Sequence, residues 1–226
     1  MNLVLFDIDM TLINTGEAGL RSLNRAFYEM FSIRDAFAGI ETAGKTDIQI
    51  MKEGLSVHGL PSGDGILSSI VSGYIRSLKT EINNPRKYIQ PGVVELLNAL
   101  IEIDGLWLGL LTGNLEQGAR IKLGALGLSD YVPCGAFGDD NEDRDKLLPI
   151  AVEKFKGLMN MDIHYHDCIV VGDTPRDVQC AKLFGAISIA VSTGTYHYES
   201  LMETDADYVL KDLSGALDVM KASIRK

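Results

Sequence analysis

From about residue 86 onward, short apolar runs alternate with stretches of helical periodicity along the chain. The runs are rich in Leu, Ile and Val, which is typical of strands that are buried on both faces of a sheet. They cover residues 106–111, 132–137, 168–171, 186–191 and 208–210. The alternation of such strands with helices predicts an α/β fold, with a parallel sheet and helices on both of its faces.

An earlier apolar run, residues 3–6, ends in the acidic pair Asp7 and Asp9. Side chains two apart on a strand point the same way, so both carboxylates begin on one face at the end of that strand. Crowded carboxylates repel each other and lose hydration. A hard cation such as Mg2+ relieves that repulsion, because it takes oxygen ligands and favours carboxylates together with a phosphate. The pair therefore indicates a metal site, although two solvated acids at an ordinary strand end have the same spacing.

Between this first strand and the alternating part, the pattern is helical throughout. Apolar residues recur at helical spacing in three stretches, with breaks at residues 35–44 and 59–65, and Thr46 is placed to cap the second stretch. We predict a core domain of residues 1–14 and 90–226. Residues 15–89, called here the helical insert, are predicted to form a smaller cap domain, with hinges near residues 14–17 and 88–91.

Three of the predicted strands end in polar turns. These turns are Asp7-Ile8-Asp9, Thr112-Gly113-Asn114 and Gly172-Asp173-Thr174-Pro175-Arg176-Asp177. In an open α/β sheet, ligands bind beyond the carboxyl ends of the strands. If the three strands are neighbours, the three turns meet in one crevice and form a single site. His164 and His166 precede their strand, so we expect them at the opposite end of the sheet.

The composition limits the partners and the compartment. The net charge of -10 argues against nucleic acid or an anionic membrane as a partner. An anionic substrate would need a metal and a few basic residues to reverse the sign of the field inside the site. No apolar run reaches transmembrane length, and the first strand leaves no room for a signal peptide. The three cysteines match no zinc pattern, which indicates reduced thiols in a cytoplasmic protein.

The motifs resemble those of the haloacid dehalogenase superfamily, in its phosphatase branch. The matching residues are Asp7, Asp9 and Thr11 for D-x-D-x-T, Thr112 at the end of an apolar strand, and Gly172, Asp173 and Asp177 for G-D-x-x-x-D. Residues 43–47 are similar to the cap segment of phosphoglycolate-phosphatase-like members. The resemblance covers nearly the whole chain and implies a Rossmann-like core with a helical cap.

The resemblance also implies roles for the acids. Asp7 is expected to be the nucleophile that becomes an aspartyl phosphate, and Asp9 the acid and base for the leaving group and the water. Mg2+ is expected on Asp7, Asp173 and the backbone carbonyl of Asp9, with Asp177 as a further ligand or as a neighbour of one. An acid in the first turn of a helix is also common at a position like Asp177. The implied activity is hydrolysis of a small phosphorylated metabolite, either phosphoglycolate-like or a sugar phosphate.

Several basic and polar residues are candidates for binding the substrate. Thr112 and the amides of Gly113 and Asn114 precede a helix and are expected to hold phosphate oxygens. The family's usual lysine context is absent, and alignment through Pro149 places Arg144 at that position, with Lys146 as the alternative. Lys45 is a candidate to reach the substrate from the insert, or else a solvated loop residue. Met10 stands where many relatives have Gly, and we expect no effect on the chemistry.

Other activities share parts of these motifs. A phosphomutase of the β-phosphoglucomutase type has the same core motifs and differs in its cap. A dehalogenase needs neither a metal nor an acid at position 9, so Asp9 and Asp173 argue against it. A non-catalytic module that accepts phosphate on an aspartate is usually shorter and lacks an insert. The sequence makes no prediction of the oligomeric state.

Overall fold

A computed structural model describes residues 2–224 of the chain. The strands are β1 (Asn2–Phe6), β2 (Ile13–Asn14), β3 (Tyr88–Ile89), β4 (Leu106–Leu111), β5 (Gly135–Ala136), β6 (Cys168–Gly172), β7 (Ile187–Val191) and β8 (Tyr208–Leu210). The α-helices are α1 (Ala18–Phe31), α2 (Asp47–Val57), α3 (Asp64–Glu81), α4 (Val93–Ile101), α5 (Glu116–Gly124), α6 (Leu147–Met159), α7 (Pro175–Lys182), α8 (Tyr198–Met202) and α9 (Ala216–Ser223).

Six of the strands form one parallel sheet in the order β5-β4-β1-β6-β7-β8. The chain winds from β1 through β4 to β5 on one side and from β6 to β8 on the other. The direction of winding therefore reverses at β1, which lies between β4 and β6, and such a reversal opens a crevice at the carboxyl ends of the strands. The predicted α/β fold with a parallel sheet is confirmed.

Strand β1 is buried on both faces, as its apolar sequence predicts. Val4 and Phe6 pack into the apolar layer that contains α4, α5 and α9. Leu3 and Leu5 point the other way, into the layer that contains α6 and α7. All four side chains are fully buried, and each contributes about 1.5–3 kcal/mol to the free energy of unfolding. This central strand is therefore a rigid support for whatever follows Phe6.

The helical insert holds α1, α2 and α3, which share an apolar core of their own around Phe27, Met51 and Tyr74. Its two connections to the rest of the chain pair as a short antiparallel ribbon, β2 with β3. Leu115, at the start of α5, also packs into the core of the insert. The division into two domains at residues 15 and 89 stays a prediction.

One predicted element is shorter in the structure, and one predicted helix cap is confirmed. Strand β5 is limited to Gly135–Ala136, instead of residues 132–137, because Pro133 has no N–H to donate to a ladder. Thr46 caps α2 in a reciprocal pair with Gln49, as expected. No helix within residues 2–224 is long and apolar enough to cross a membrane.

Candidate active site

Asp7 follows the last residue of β1 and remains fixed by the sheet. Its backbone N–H donates to the carbonyl oxygen of Val171 at 2.9 Å. The side chain is buried, and burial raises the pKa of Asp7 from its ordinary 3.8 to about 6. The nearby Arg144 opposes this rise in pKa and Asp177 adds to it. The sheet therefore holds a carboxylate where water does not stabilise its charge.

Two further carboxylates share this position. Carboxylate oxygens of Asp7, Asp173 and Asp177 lie within 4.8 Å of one another, and all three residues are buried. Burial and the charges of Asp177 and Asp7 raise the pKa of Asp173 well above its ordinary value. Thr11 donates to Asp173 at 3.2 Å. Buried acids that repel one another, and whose oxygens converge, match the ligand preference of a divalent cation such as Mg2+.

Arg144 is the cation in this acidic group. It lies in a short 3-10 helix (Arg144–Lys146), and its guanidinium is 3.3 Å from Asp7 and forms an ion pair with Asp177. Burial would lower the pKa of Arg144, but Asp177 and Asp7 outweigh it and raise the pKa. Its buried Nε–H has no partner among the described residues. Lys146 is instead 64% exposed and contacts Asp143 on the surface.

Both oxygens of Asp177 are occupied by protein groups. One pairs with Arg144, and the other accepts from the backbone N–H of Thr174 at 3.0 Å and from its hydroxyl at 2.7 Å. The bond from the Thr174 N–H to Asp177 belongs to a capping box that begins α7 at Pro175. Gly172 has room for no side chain, because a Cβ there would collide with Asp177. Asp177 thus orients Arg144 and also starts a helix.

Asp9 lies apart from the three converging acids. The chain turns at Met10, whose φ of 62° lies in the left-handed region that favours glycine. The Asp9 carboxylate accepts from Lys122 at 2.6 Å and from the side-chain amide of Asn114 at 2.9 Å. Thr15 donates to its other oxygen at 3.4 Å. The Asp9 side chain therefore faces α5 and not the three converging acids.

The turn after β4 completes the floor of the site. Thr112 is fully buried, and its hydroxyl oxygen accepts from the backbone N–H of Asn114 at 3.3 Å and from the side-chain amide at 2.9 Å. The same hydroxyl helps to stabilise the charged form of Asp7, which lowers the pKa of that carboxyl. A Cβ at Gly113 would collide with the carbonyl oxygen of Lys45. The absence of a side chain at Gly113 lets the insert approach.

The helical insert binds to this turn through Asp47, the first residue of α2. The Asp47 N–H donates to the carbonyl oxygen of Gly113 at 2.7 Å, and its carboxylate accepts from the N–H of Leu115 at 3.0 Å. Asp47 thereby takes up a free N–H at the start of α5, where a negative charge is favourable. Burial raises the pKa of Asp47, and Lys122 opposes the rise. Thr46 adds a bond to the carbonyl oxygen of Glu142 at 2.9 Å.

A pocket of about 390 Å³ lies between the insert and the carboxyl ends of the strands. Its floor includes Asp7, Asp173, Arg144 and Asn114, and its outer walls include Lys45. The structure thus brings together all three polar turns that the sequence placed at neighbouring strand ends, with His164 outside the pocket lining.

The sequence profile of the haloacid dehalogenase-like hydrolases matches residues 4–191. The chain belongs to this family of hydrolases. The match spans the three polar turns and the helical insert, so the predicted resemblance is confirmed, and with it the prediction of a hydrolase.

Two relatives of this haloacid dehalogenase-like hydrolase are similar to it over nearly their full length. A phosphoglycolate phosphatase of Nitrosospira multiformis is 28% identical, over 97% of this chain and 96% of its own. The pyrophosphatase PpaX of Halalkalibacterium halodurans is 26% identical, over 100% and 99% of the two chains. Among solved structures, a hydrolase of Pseudomonas syringae superposes with a TM-score of 0.75 at 20% identity, covering 100% of both chains. CbbY of Rhodobacter sphaeroides, solved with phosphate, has a TM-score of 0.75 at 15% identity, covering 96% of both chains.

Two residues of this hydrolase's site were not predicted from the sequence, Lys122 and Asp47. Lys122 is buried, with its ammonium group 2.6 Å from Asp9 and 2.5 Å from the side-chain oxygen of Asn114. Burial would lower the pKa of Lys122, but Asp9 and Asp47 outweigh it and raise the pKa. The available signal was its position: Lys122 adjoins Leu123 and follows Ala119 by three residues, on the apolar stripe of α5.

Proposed function

We propose that this hydrolase is a Mg2+-dependent phosphatase of small phosphomonoesters, which acts through an aspartyl phosphate on Asp7. One observation carries the proposal: the buried Asp7 carboxylate lies 3.3 Å from Arg144 and converges with Asp173, while the second acid, Asp9, is held apart by Lys122. This separates a nucleophile from an acid–base group. The names of the phosphoglycolate phosphatase and pyrophosphatase relatives support the same reaction class.

The residues present fit a magnesium ion. The carboxylates of Asp7 and Asp173 and the backbone carbonyl of Asp9 are proposed to hold it, with Asp177 beside them as the partner of Arg144. Three buried acids against one arginine leave an excess of negative charge, which the cation would balance. When bound, the ion supplies positive charge that reduces repulsion between Asp7 and the phosphoryl group.

In the first step, a carboxylate oxygen of Asp7 attacks phosphorus and the bond from phosphorus to the ester oxygen breaks. Asp9, in its protonated form, donates a proton to the departing oxygen, so that an alcohol leaves and an aspartyl phosphate remains. Arg144, the Thr112 hydroxyl and the Gly113 amide are proposed to hold the phosphoryl oxygens, where charge is spread during transfer. The Asn114 amide, which otherwise donates to the Thr112 hydroxyl, would join them. The unpartnered Nε–H of Arg144 is one donor available for this purpose.

In the second step, a water molecule attacks phosphorus, and the bond from phosphorus to Asp7 breaks. Asp9, now a carboxylate, takes the proton of that water, so the residue returns to its starting state together with Asp7. The insert contacts Gly113 directly and covers the pocket, which limits the access of other water to the acyl phosphate. Cleavage through two steps replaces one difficult displacement with two easier ones.

Hydrolysis of p-nitrophenyl phosphate tests the proposal. We expect turnover in Mg2+, its loss in EDTA with recovery on adding Mg2+ back, and no turnover by Asp7→Asn. Turnover that survives EDTA, or that persists in Asp7→Asn, would overturn the mechanism. Stable phosphorylation by acetyl phosphate without ester hydrolysis would instead identify a phospho-accepting module.

A further inference from the structure

Among residues 2–224, every cation that lines the pocket already has a carboxylate partner. Three basic side chains line it: Lys45, Lys122 and Arg144. Arg144 pairs with Asp7 and Asp177 beneath the expected phosphoryl position. Lys122 pairs with Asp9, and its side chain is 4% exposed. Neither of these two is free to bind a second anionic group on the substrate.

Lys45 is the cation of the outer pocket, where the leaving group must lie. Its ammonium group is 2.5 Å from the carboxylate of Glu53 on α2. The Lys45 side chain is only 15% exposed, so it is held in this pair along the wall rather than extended into solvent. Arg176 packs against Gly44 but does not line the pocket.

Within the described part of the chain, the remaining outer wall offers no positive charge. Besides apolar side chains it includes neutral polar ones and two acids, among them Leu20, Ile50, Asn14, Thr42, Glu17 and Asp47. Glu17 pairs with Arg86 at 3.2 Å, and Asp47 accepts from the Leu115 N–H, so neither contact brings a free positive charge to an anionic leaving group. Hydroxyl and amide groups on the wall can instead exchange hydrogen bonds with the hydroxyls of a neutral leaving group.

From these pairings we infer that the pocket selects phosphomonoesters with an uncharged, hydroxylated leaving group, such as polyol or sugar monophosphates. It selects against phosphorylated carboxylates and bisphosphates. A carboxylate on the leaving group would enter without a free cation, because it would have to share the Lys45 ammonium group with Glu53, and two carboxylates at one ammonium group repel each other. Selection here arises from a repulsive element as well as from attraction. The inference rests on the proposed phosphatase function.

Two matched two-carbon esters test this selectivity on the whole protein in Mg2+. 2-Hydroxyethyl phosphate and 2-phosphoglycolate have the same length, both release a primary alcohol, and they differ in the charge of the distal group. We expect a higher kcat/KM for 2-hydroxyethyl phosphate, by about tenfold, a coupling between charges of the size seen in partly buried sites. An equal or higher value for 2-phosphoglycolate overturns the inference and leaves the phosphatase function in place.

Variants of the ion pair sharpen the test. Glu53→Gln frees Lys45, so the ratio of kcat/KM for 2-phosphoglycolate to kcat/KM for 2-hydroxyethyl phosphate should rise about fivefold. A change of this size corresponds to the contribution of a partly exposed ion pair. In the double variant Lys45→Met with Glu53→Gln, this ratio should return toward its original value. The matched control is Glu29→Gln, because Glu29 also lies in the insert, pairs with arginines and has a side chain 39% exposed, as Glu53 has. An unchanged ratio in Glu53→Gln overturns the inference.

A failure of the proposed phosphatase function can be told apart from a failure of the inferred selectivity. If no ester is hydrolysed in Mg2+, calorimetric binding of the same two esters to Asp7→Asn still measures the selectivity. Tighter binding of 2-hydroxyethyl phosphate supports the inference, and tighter binding of 2-phosphoglycolate overturns it.

Discussion

The ammonium group of Lys122 lies 2.6 Å from the Asp9 carboxylate, and the lysine side chain is almost fully buried while the aspartate is 37% exposed. The pair joins α5 to the turn after β1. A buried cation at this distance fixes the orientation of Asp9 between the core and the insert. We therefore regard Lys122 as a positioning residue for the proposed acid–base group.

Lys122→Met tests this positioning role. We expect kcat/KM for an alkyl phosphate to fall by about 100-fold, the usual contribution of a placed acid or base. The loss for p-nitrophenyl phosphate should be much smaller, because nitrophenolate leaves without a proton and kcat/KM reports the phosphorylation step. Lys146→Met, at an exposed lysine, is the control. Equal losses with the two esters would assign Lys122 a structural role only.

Arg144→Met is expected to destabilise the protein through the charges that it leaves unpaired. Removing one partner from a buried ion pair costs about 3–5 kcal/mol, and Asp7 and Asp177 both lose theirs. Mg2+ should recover part of this loss, because the cation compensates the same carboxylates. Urea unfolding in EDTA and in Mg2+ measures both effects. Lys146→Met should change the free energy of unfolding by no more than about 1 kcal/mol. Similar results for the two variants would contradict the burial of Arg144.

The raised pKa values of Asp7 and Asp173 predict how pH affects the metal-free protein. A carboxyl with a higher pKa in the folded state binds protons more tightly there than when unfolded. Its stabilising contribution is present at low pH and is lost as pH rises through the folded pKa, about 6 for Asp7.

Because Mg2+ competes with these protons, the rise in Tm on adding Mg2+ should be larger at pH 7.5 than at pH 5. Differential scanning fluorimetry at the two pH values measures it. Asp7→Asn should reduce the difference, since one of the titrating groups is gone. A Mg2+ effect of the same size at both pH values would count against a metal site on these acids.

Gly113→Ala tests the contact between the insert and the site. An added Cβ would collide with backbone atoms of Lys45 and Thr46, so the insert must move away from β4. We expect kcat/KM to fall at least about tenfold, because displacement of a residue by about 1 Å can cost 100-fold, with little change in the circular dichroism spectrum. The control is Gly63→Ala, at a glycine with open space around it. Normal activity in Gly113→Ala would show that the contact is dispensable.

Local patterns predicted the fold and the acidic part of the site well. The alternation after residue 86 fixed the parallel sheet, and the position of Asp7 and Asp173 directly after two apolar strands was enough to bring them together at neighbouring strand ends. These relationships follow from strand geometry, which the sequence records residue by residue.

The missed residues depend on packing between distant segments. Lys122 meets Asp9 only because α5 packs under the insert, and no periodicity encodes that approach. Asp47 caps a helix 68 positions away in the chain. The ion pair of Lys45 with Glu53 depends on the loop geometry before α2. The short β5 shows that a local feature can also override a pattern, because a single proline outweighs an apolar run there.

The central place of β1 has a consequence for how activity is lost on heating. Local opening begins at termini, loops and edge strands, and the middle of a buried sheet opens only with the whole molecule. Amide hydrogens of Leu5 and Phe6 should therefore be among the slowest to exchange with deuterated solvent. Asp7, the proposed nucleophile next to them, would keep its position through all partial opening of the insert, so fraying should interrupt turnover reversibly.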